Sequence, residues 1–337
     1  MVVLACFAAV AACGQPPRLA DRGGERAKAA DPPPPWWLDG GTARCRHVPY
    51  VAGDFYRTFV PSGSRYVNDH TLVMGPDGTW HIFGITNDSP GDPEAEHQFL
   101  HATAPTPFGP WTERPDALVA DARANEKVLW APYVIERQPG HWTLLYYADL
   151  LDDDPTRGVR LADSEDLWHW QRVPATTSPA GRPPGGRDPF LLRVAGRWLL
   201  WSVGVDGASH GQILLSESRS PSLADWSPAT PVLTDPVAAT PWRRGNLQSP
   251  FVVVYDEQFY LFVTRKSPAP VDYVRTEVFC SDDPRHFDWQ PIAELRAHAA
   301  EVLVDHGRYF ITSAGWTRMI GEEHRGLSIA PLGWAPP

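Results

Sequence analysis

Bulky apolar residues alternate with polar ones in five short runs of the chain, and each run is followed, after a turn, by a second and more aromatic one. The first such pair is Thr71-Leu72-Val73 with Trp80-His81-Ile82-Phe83, and the last is Val302-Leu303-Val304 with Arg308-Tyr309-Phe310-Ile311-Thr312. A period of two, with β-branched and aromatic residues in excess, predicts strands rather than helices. The turns between them are Gly75-Pro76-Asp77-Gly78, Pro139-Gly140, Ala195-Gly196, Asp256-Glu257 and His306-Gly307. They are rich in residues that tolerate tight backbone angles, so each pair reads as a β-hairpin.

The hairpins open on Asn68-Asp69, Trp130-Ala131, Arg187-Asp188, Gln248-Ser249 and His298-Ala299, which stand 62, 57, 61 and 50 residues apart. A repeat on this scale signals stacked units that cannot bury their faces alone. The prediction is an all-β fold, a five-bladed β-propeller, with the first strand of every blade beside a central channel where equivalent positions meet. A second repeat leads from His101-Ala102-Thr103 to Trp111, Ala162-Asp163-Ser164 to Trp170, Ser216-Glu217-Ser218 to Trp226, Cys280-Ser281-Asp282 to Trp289, and Leu327-Ser328-Ile329-Ala330 to Trp334. These segments predict third and fourth strands, with the tryptophans packed between blades. Trp130, Trp242 and Trp316 lie off this register and are the candidates for a role other than packing.

Composition adds limits. The chain of 337 residues is 43% hydrophobic, enough for a large packed core, and its formal charge of −10 without a basic run argues against nucleic acid or an anionic membrane surface as partner. The apolar run from Val2 to Ala12 is too short to span a bilayer, and Val10-Ala11-Ala12-Cys13 resembles the lipobox of bacterial lipoproteins. The expected organisation is a signal peptide over 1–12, a lipidated Cys13 that begins a Pro-rich and Gly-rich tether over 13–45, and the propeller over 46–337. Its expected location is outside the cytoplasm, held to the cell envelope only by that lipid. Cys45 and Cys280 sit near opposite ends of the propeller, where they form either a disulfide or two independent buried thiols.

The five blade openings, in their order and spacing, resemble those of the five-bladed propeller glycoside hydrolases, the clan that includes families 43, 32, 62, 68 and 117. The resemblance covers roughly Val48 to Trp334. Its most specific element is Arg187-Asp188-Pro189, a triplet that families 32 and 68 carry. It implies an oligo- or polysaccharide partner of arabinose, xylose or fructose type, and hydrolysis by one carboxylate that attacks or activates water and one acid that protonates the leaving oxygen. By blade position Asp69 is the base or nucleophile, with Asn68 placed to hydrogen-bond it. Asp188 holds sugar hydroxyls and tunes the acid, with Arg187 as its counter-ion.

The fourth blade departs from the pattern, since Gln248 stands where the resembled families commonly place a glutamate as general acid. Three readings stay open. The acid is Glu301 or His298 of the fifth blade, family 117 giving a precedent for histidine; or it is Glu126; or the site binds sugar without cleaving it. Glu301 is favoured, because period-two alternation keeps it on the face of Ala299. Trp130, Gln248, His298 and Trp316 join Asn68 and Arg187 as expected sugar contacts. Arg243-Arg244 keeps a phosphorylase reading, by analogy with family 130. No cofactor or metal is expected: Asp152-Asp153-Asp154 lacks the spaced ligands of a calcium loop, and Glu94, Glu96 and His97 lack zinc spacing.

Overall fold

The computed structural model describes residues 45–88, 92–149, 158–174, 186–239, 245–268, 271–315 and 325–337. Its strands form the five antiparallel blades that the repeat predicts. Blade one is His70–Met74, Trp80–Thr86, Gln98–Ala104 and Thr112–Val119; blade two is Val128–Gln138, His141–Asp149, Gly158–Ser164 and Gln171–Arg172. Blade three is Arg187–Val194, Arg197–Val205, His210–Ser218 and Thr230–Ala238; blade four is Leu247–Tyr255, Gln258–Arg265, Thr276–Ser281 and Ala293–Leu295. Val302–Asp305, Arg308–Ala314 and Leu327–Ala335 begin blade five.

The fifth blade corrects one expectation. Trp334 does not follow a return into a fourth strand, because Leu327–Ala335 is one continuous strand. The outer positions come instead from the front of the domain, where Val48–Val51 and Tyr56–Phe59 both pair antiparallel with it. The ring is thus closed by pairing residues from its two ends, and Cys45 and Cys280 form a disulfide that ties the leading segment to blade four.

Three of the five hairpin turns are two-residue loops with both residues at positive φ: Ala195-Gly196, Asp256-Glu257 and His306-Gly307. That is the type I′ form whose twist matches its strands. The repeated tryptophans pack where expected. Trp170 joins the core between blades one and two, Trp226 that between two and three, Trp289 that between three and four, and Trp334 that between four and five. Trp111 fills the seam between five and one.

What places the site is a bulge at the opening of the inner strands. Trp130 pairs with Tyr147 and Tyr133 with Leu145, so three residues on one strand span two on its neighbour; the same skip separates Arg187 from Phe190 and Gln248 from Phe251. The bulged residues Ala131, Asp188 and Ser249 have φ of 50°, 54° and 47°, and Ala299 of blade five has 46°. A non-glycine residue in this left-handed region costs about 1–2 kcal/mol, and its recurrence in four blades marks a designed feature.

Two outcomes test this account. In the chain-entropy picture a cross-link spanning 235 residues contributes roughly 5 kcal/mol, so Cys280→Ala should lower unfolding free energy by an amount of that order in denaturant titrations, and reductant should do the same only to the wild type. Ala131→Gly, which weakens an ordinary strand, should here raise stability by about 0.5–1 kcal/mol, because glycine adopts positive φ without a Cβ clash.

Candidate active site on the propeller axis

A small cavity of about 30 Å³ lies on the axis, lined by the opening residues of all five blades. Asp69 and His70 come from blade one, Ala131 to Tyr133 from two, Asp188 to Phe190 from three, Ser249 to Phe251 from four, and Ala299 to Glu301 from five. All three residues with predicted chemical roles, Asp69, Asp188 and Glu301, therefore meet in one space. They do so in two layers. In the first, the bulge frees the backbone N–H of Ser249, which donates to Asp188 Oδ2 at 3.0 Å, while the Ser249 hydroxyl donates to Asp69 Oδ1 at 3.1 Å. One serine thus bridges carboxylates from blades one and three. Arg187 Nη1 stands 3.6 Å from Asp188 Oδ1, the expected counter-ion.

The second layer holds three aromatic rings and one acid. Tyr133, Phe190 and Phe251 pack ring on ring, with centroids 4.7 and 4.4 Å apart along the series, and Glu301 stands at the equivalent position of blade five. Glu301 Oε2 accepts from the Leu72 N–H at 3.2 Å and the carboxyl is also bonded to Thr71, so this side chain links blade five to blade one.

Burial sets the electrostatics. Asp69 is pushed up to about 7, first by desolvation and then by the charge of Asp188, against the opposing Ser249 hydrogen bond and Arg187. Glu301 is raised well above the usual carboxylate range by desolvation. His298 is buried and lowered to about 4, so its imidazole is neutral at physiological pH and holds no spare proton of useful acidity.

The polar rim differs from expectation at several positions. Asn68 does not bond Asp69: its Nδ2 donates to Glu96 Oε1 at 3.4 Å. Trp130 is buried in the seam between blades one and two with one face stacked on Tyr147, so it is a wall rather than an open platform for sugar. Glu126 is no candidate acid, because its carboxylate is held by Arg172, Tyr146 and the Asp121 N–H. Gln248 bonds Tyr273, whose ring lies 5.5 Å from that of His298 and packs on Tyr66. Tyr273 lies near enough to Asp69 and Asp188 to feel the charges of both. Trp316, Trp242, Arg243, Arg244, Asp152 to Asp154 and Cys13 lie outside the described residues.

Glu96 is the residue sequence reasoning missed. Dismissed above as a zinc ligand, it is 2% exposed and sits beside Asn68 and Tyr66. Its distance in sequence from both hid the connection; a glutamate next to the apolar run that starts at Phe99 was the available signal. Among the described residues, no group of three or more His, Cys, Asp or Glu side chains is placed to hold a metal ion.

The sequence matches no family model and no curated protein. Solved structures do match in fold. A GH43_1 enzyme from Xanthomonas citri is 15% identical with a TM-score of 0.62, over 83% of this chain and 90% of that one. The RS223 β-xylosidase is 12% identical at 0.64, over 84% and 98%. Zg3597, a family 117 glycoside hydrolase from Zobellia galactanivorans, is 13% identical at 0.60, over 83% and 89%. The chain has the five-bladed propeller fold of the glycoside hydrolases of families 43 and 117.

Proposed function

We propose that this protein is a glycosidase that hydrolyses arabinose-, xylose- or fructose-type glycans at the axial cavity. The observation that carries the reading is the convergence of Asp69, Asp188 and Glu301 from three blades on one axial pocket, with Ser249 coupling the first two. A related fold, the Xanthomonas citri GH43_1 enzyme, has been solved with xylotriose, which supports a pentose substrate.

In this reaction Asp69, as carboxylate, attacks the anomeric carbon or takes a proton from the water that does. Glu301 gives its proton to the departing oxygen, and Asp188 holds sugar hydroxyls while its charge tunes Asp69. A base poised near the operating pH serves best, and a donor must keep its proton there; burial supplies both conditions. We also infer that the protein works outside the cytoplasm, tethered through Cys13, because a disulfide such as Cys45–Cys280 persists in oxidising compartments.

Aryl glycosides and oligosaccharides of arabinose, xylose and fructose test the assignment. Asp69→Asn should lower kcat on the order of a thousandfold on every substrate. Glu301→Gln should abolish turnover of natural glycans but spare dinitrophenyl glycosides, whose leaving group needs no proton. Wild-type protein that binds these sugars without cleaving them would instead be a carbohydrate-binding module, and an unimpaired Asp69→Asn would end the hydrolase reading at this site.

The pH dependence has a definite sign. Asp69 must lose its proton to act, so kcat/KM should rise as pH passes about 7. Ser249→Ala, which removes the hydrogen bond favouring the charged form, should move that limb to higher pH. Because Asp69 keeps its proton in the folded state up to about 7 but loses it near 3.8 when unfolded, wild-type stability declines between those values. Asp69→Asn escapes that decline, so its melting temperature should exceed the wild type's by a margin that grows from pH 4 to 7 and then levels off.

A further inference from the structure

A second cavity, of about 490 Å³, lies at the other end of blade two, between the hairpin of its first two strands and the hairpin of its last two. Its walls include Arg137, Gln138 and His141 from the first hairpin and Asp163, Asp166 and Gln171 from the second. One strand, Val128–Gln138, reaches both cavities: Ala131 lines the axial one and Gln138 this one. Positions 131 and 138 are seven residues apart, which at about 3.3 Å per residue is roughly 20 Å. The groove is therefore separate from the axial site, and its volume falls in the range of small-molecule sites.

One ion pair in its wall is only partly used by the protein. Arg137 Nη2 stands 2.9 Å from Asp163 Oδ1, and the Thr143 hydroxyl donates to that same oxygen at 2.6 Å. Asp163 Oδ2, on a side chain 42% exposed, has no donor among the described residues. Arg137 is held more tightly, with 17% of its side chain exposed; its Nε is buried without an acceptor, and its Nη1, which is not sealed from solvent, has none among the described residues either. A guanidinium so enclosed with a single acceptor is a departure of the kind that concentrates at functional sites. The pair thus offers the groove an open acceptor and an open donor side by side.

The other charges of the groove define what would fit there. Asp166 is committed to its own turn, where it accepts from the N–H groups of Trp168 and His169 and bonds the His169 ring. Glu165 projects into solvent beside His141. An anion would meet three carboxylates against one permanent cation, and no three side chains are placed to hold a metal ion among the described residues. A hydroxyl both donates and accepts, so two hydroxyls on adjacent carbons match the pair: one donates to Asp163 Oδ2 and the other accepts from Arg137 Nη1. The exposed amides of Gln138 and Gln171 add further donors and acceptors.

We propose that this groove is a second glycan site, which holds a neutral oligosaccharide by vicinal hydroxyls at the Asp163–Arg137 pair. It goes beyond the glycosidase reading and does not rest on the axial acids. In a protein that cleaves glycans at the axis, it would keep a long chain close to the ring between turnovers.

Tetrasaccharides of xylose, arabinose, fructose and glucose test it by calorimetry, with Asp69→Asn as the background so that none is cleaved. Asp163→Asn keeps an acceptor for Thr143 and replaces the open oxygen by an amide that cannot accept. Gln138→Ala combined with Gln171→Ala leaves the ion pair intact, and it decides the matter if Asp163→Asn does not fold. Glu217→Gln, in the comparable Arg197–Glu217 pair of blade three, is the control. At least one tetrasaccharide should bind at a site that Asp163→Asn weakens about tenfold and the double variant about threefold, with Glu217→Gln unchanged. Without the Asp69 substitution, Asp163→Asn should leave kcat and KM for aryl glycosides within about twofold. Binding that both groove variants leave intact, binding that Glu217→Gln weakens equally, or no binding of any tetrasaccharide overturns this inference. Hydrolysis of aryl glycosides by the wild type then leaves the glycosidase reading standing, whereas groove binding in a wild type that cleaves nothing does the reverse.

Discussion

The site depends on a backbone event, the left-handed residue that opens four of the five inner strands. Turning Ala131, Asp188, Ser249 and Ala299 to positive φ lets one extra residue enter the strand, which directs the bulged position to the axis and releases its N–H from the sheet. The released donors are then taken across blade boundaries: Asp188 receives the N–H of Ser249, and Thr264 receives that of Ala299. The bulge therefore does two jobs at once, presenting side chains to the cavity and tying neighbouring blades together at the level where those side chains meet. Blade one opens on an irregularity without a left-handed residue. Asn68 N–H bonds the Ile85 carbonyl and Ile85 N–H bonds the Asp69 carbonyl, so Asn68 and Asp69 together oppose one residue, and Asp69 is met at the axis by the Ser249 hydroxyl.

Holding several carboxyls in one dry space opposes folding, and the propeller can bear it because its stability resides elsewhere. An apolar seam with its repeated tryptophan fills each space between blades, and only a few seam residues, such as Phe190, Ala131 and Ala300, also line the axis. The cavity in turn gains from that rigidity. A hydroxyl and an N–H on a single residue hold two acids from blades one and three, and three aromatic rings pack against one another beside them. A low-dielectric, preorganised setting of this kind keeps protons on carboxyls near neutral pH.

How much of this was legible in the sequence follows from the range of each interaction. Hairpins, inner strands and the inter-blade tryptophans are local or periodic features, and the alternation near Trp80 or Phe310 was enough to place them. The convergence of Asp69, Asp188 and Glu301 followed from the repeat, because equivalent positions in a closed ring must meet. Ring closure was not legible. Val48–Val51 and Tyr56–Phe59 are short and belong to no repeat, and their partner strand is some 280 residues further on, Val48 pairing with Ala335. The rim was misread for a related reason: Asn68 and Trp130 were assigned to sugar from their place in the blade, whereas Asn68 Nδ2 turns to Glu96, which arrives from the loop ahead of Gln98–Ala104, and Trp130 is buried in the seam between blades. Side-chain direction at a bulge is set by the backbone angle, and sequence alternation does not report it.

The layered geometry bears on how such a ring can change its chemistry. Blades two to five each offer two positions to the axis, the bulged residue and the one two places on, and blade one offers Asp69 and His70. An acid lost from one blade need not be restored there. In this chain blade four has Ser249 and Phe251 at those places and blade two has Ala131 and Tyr133, while the acids stand at the upper position in blades one and three and at the lower one in blade five. The Gln248 that broke the expected pattern precedes the bulged Ser249 and bonds Tyr273, and it does not line the cavity. What the site can do is therefore governed by the sum of acids brought to the axis and by their depth along it, rather than by the identity of the blade that carries each one.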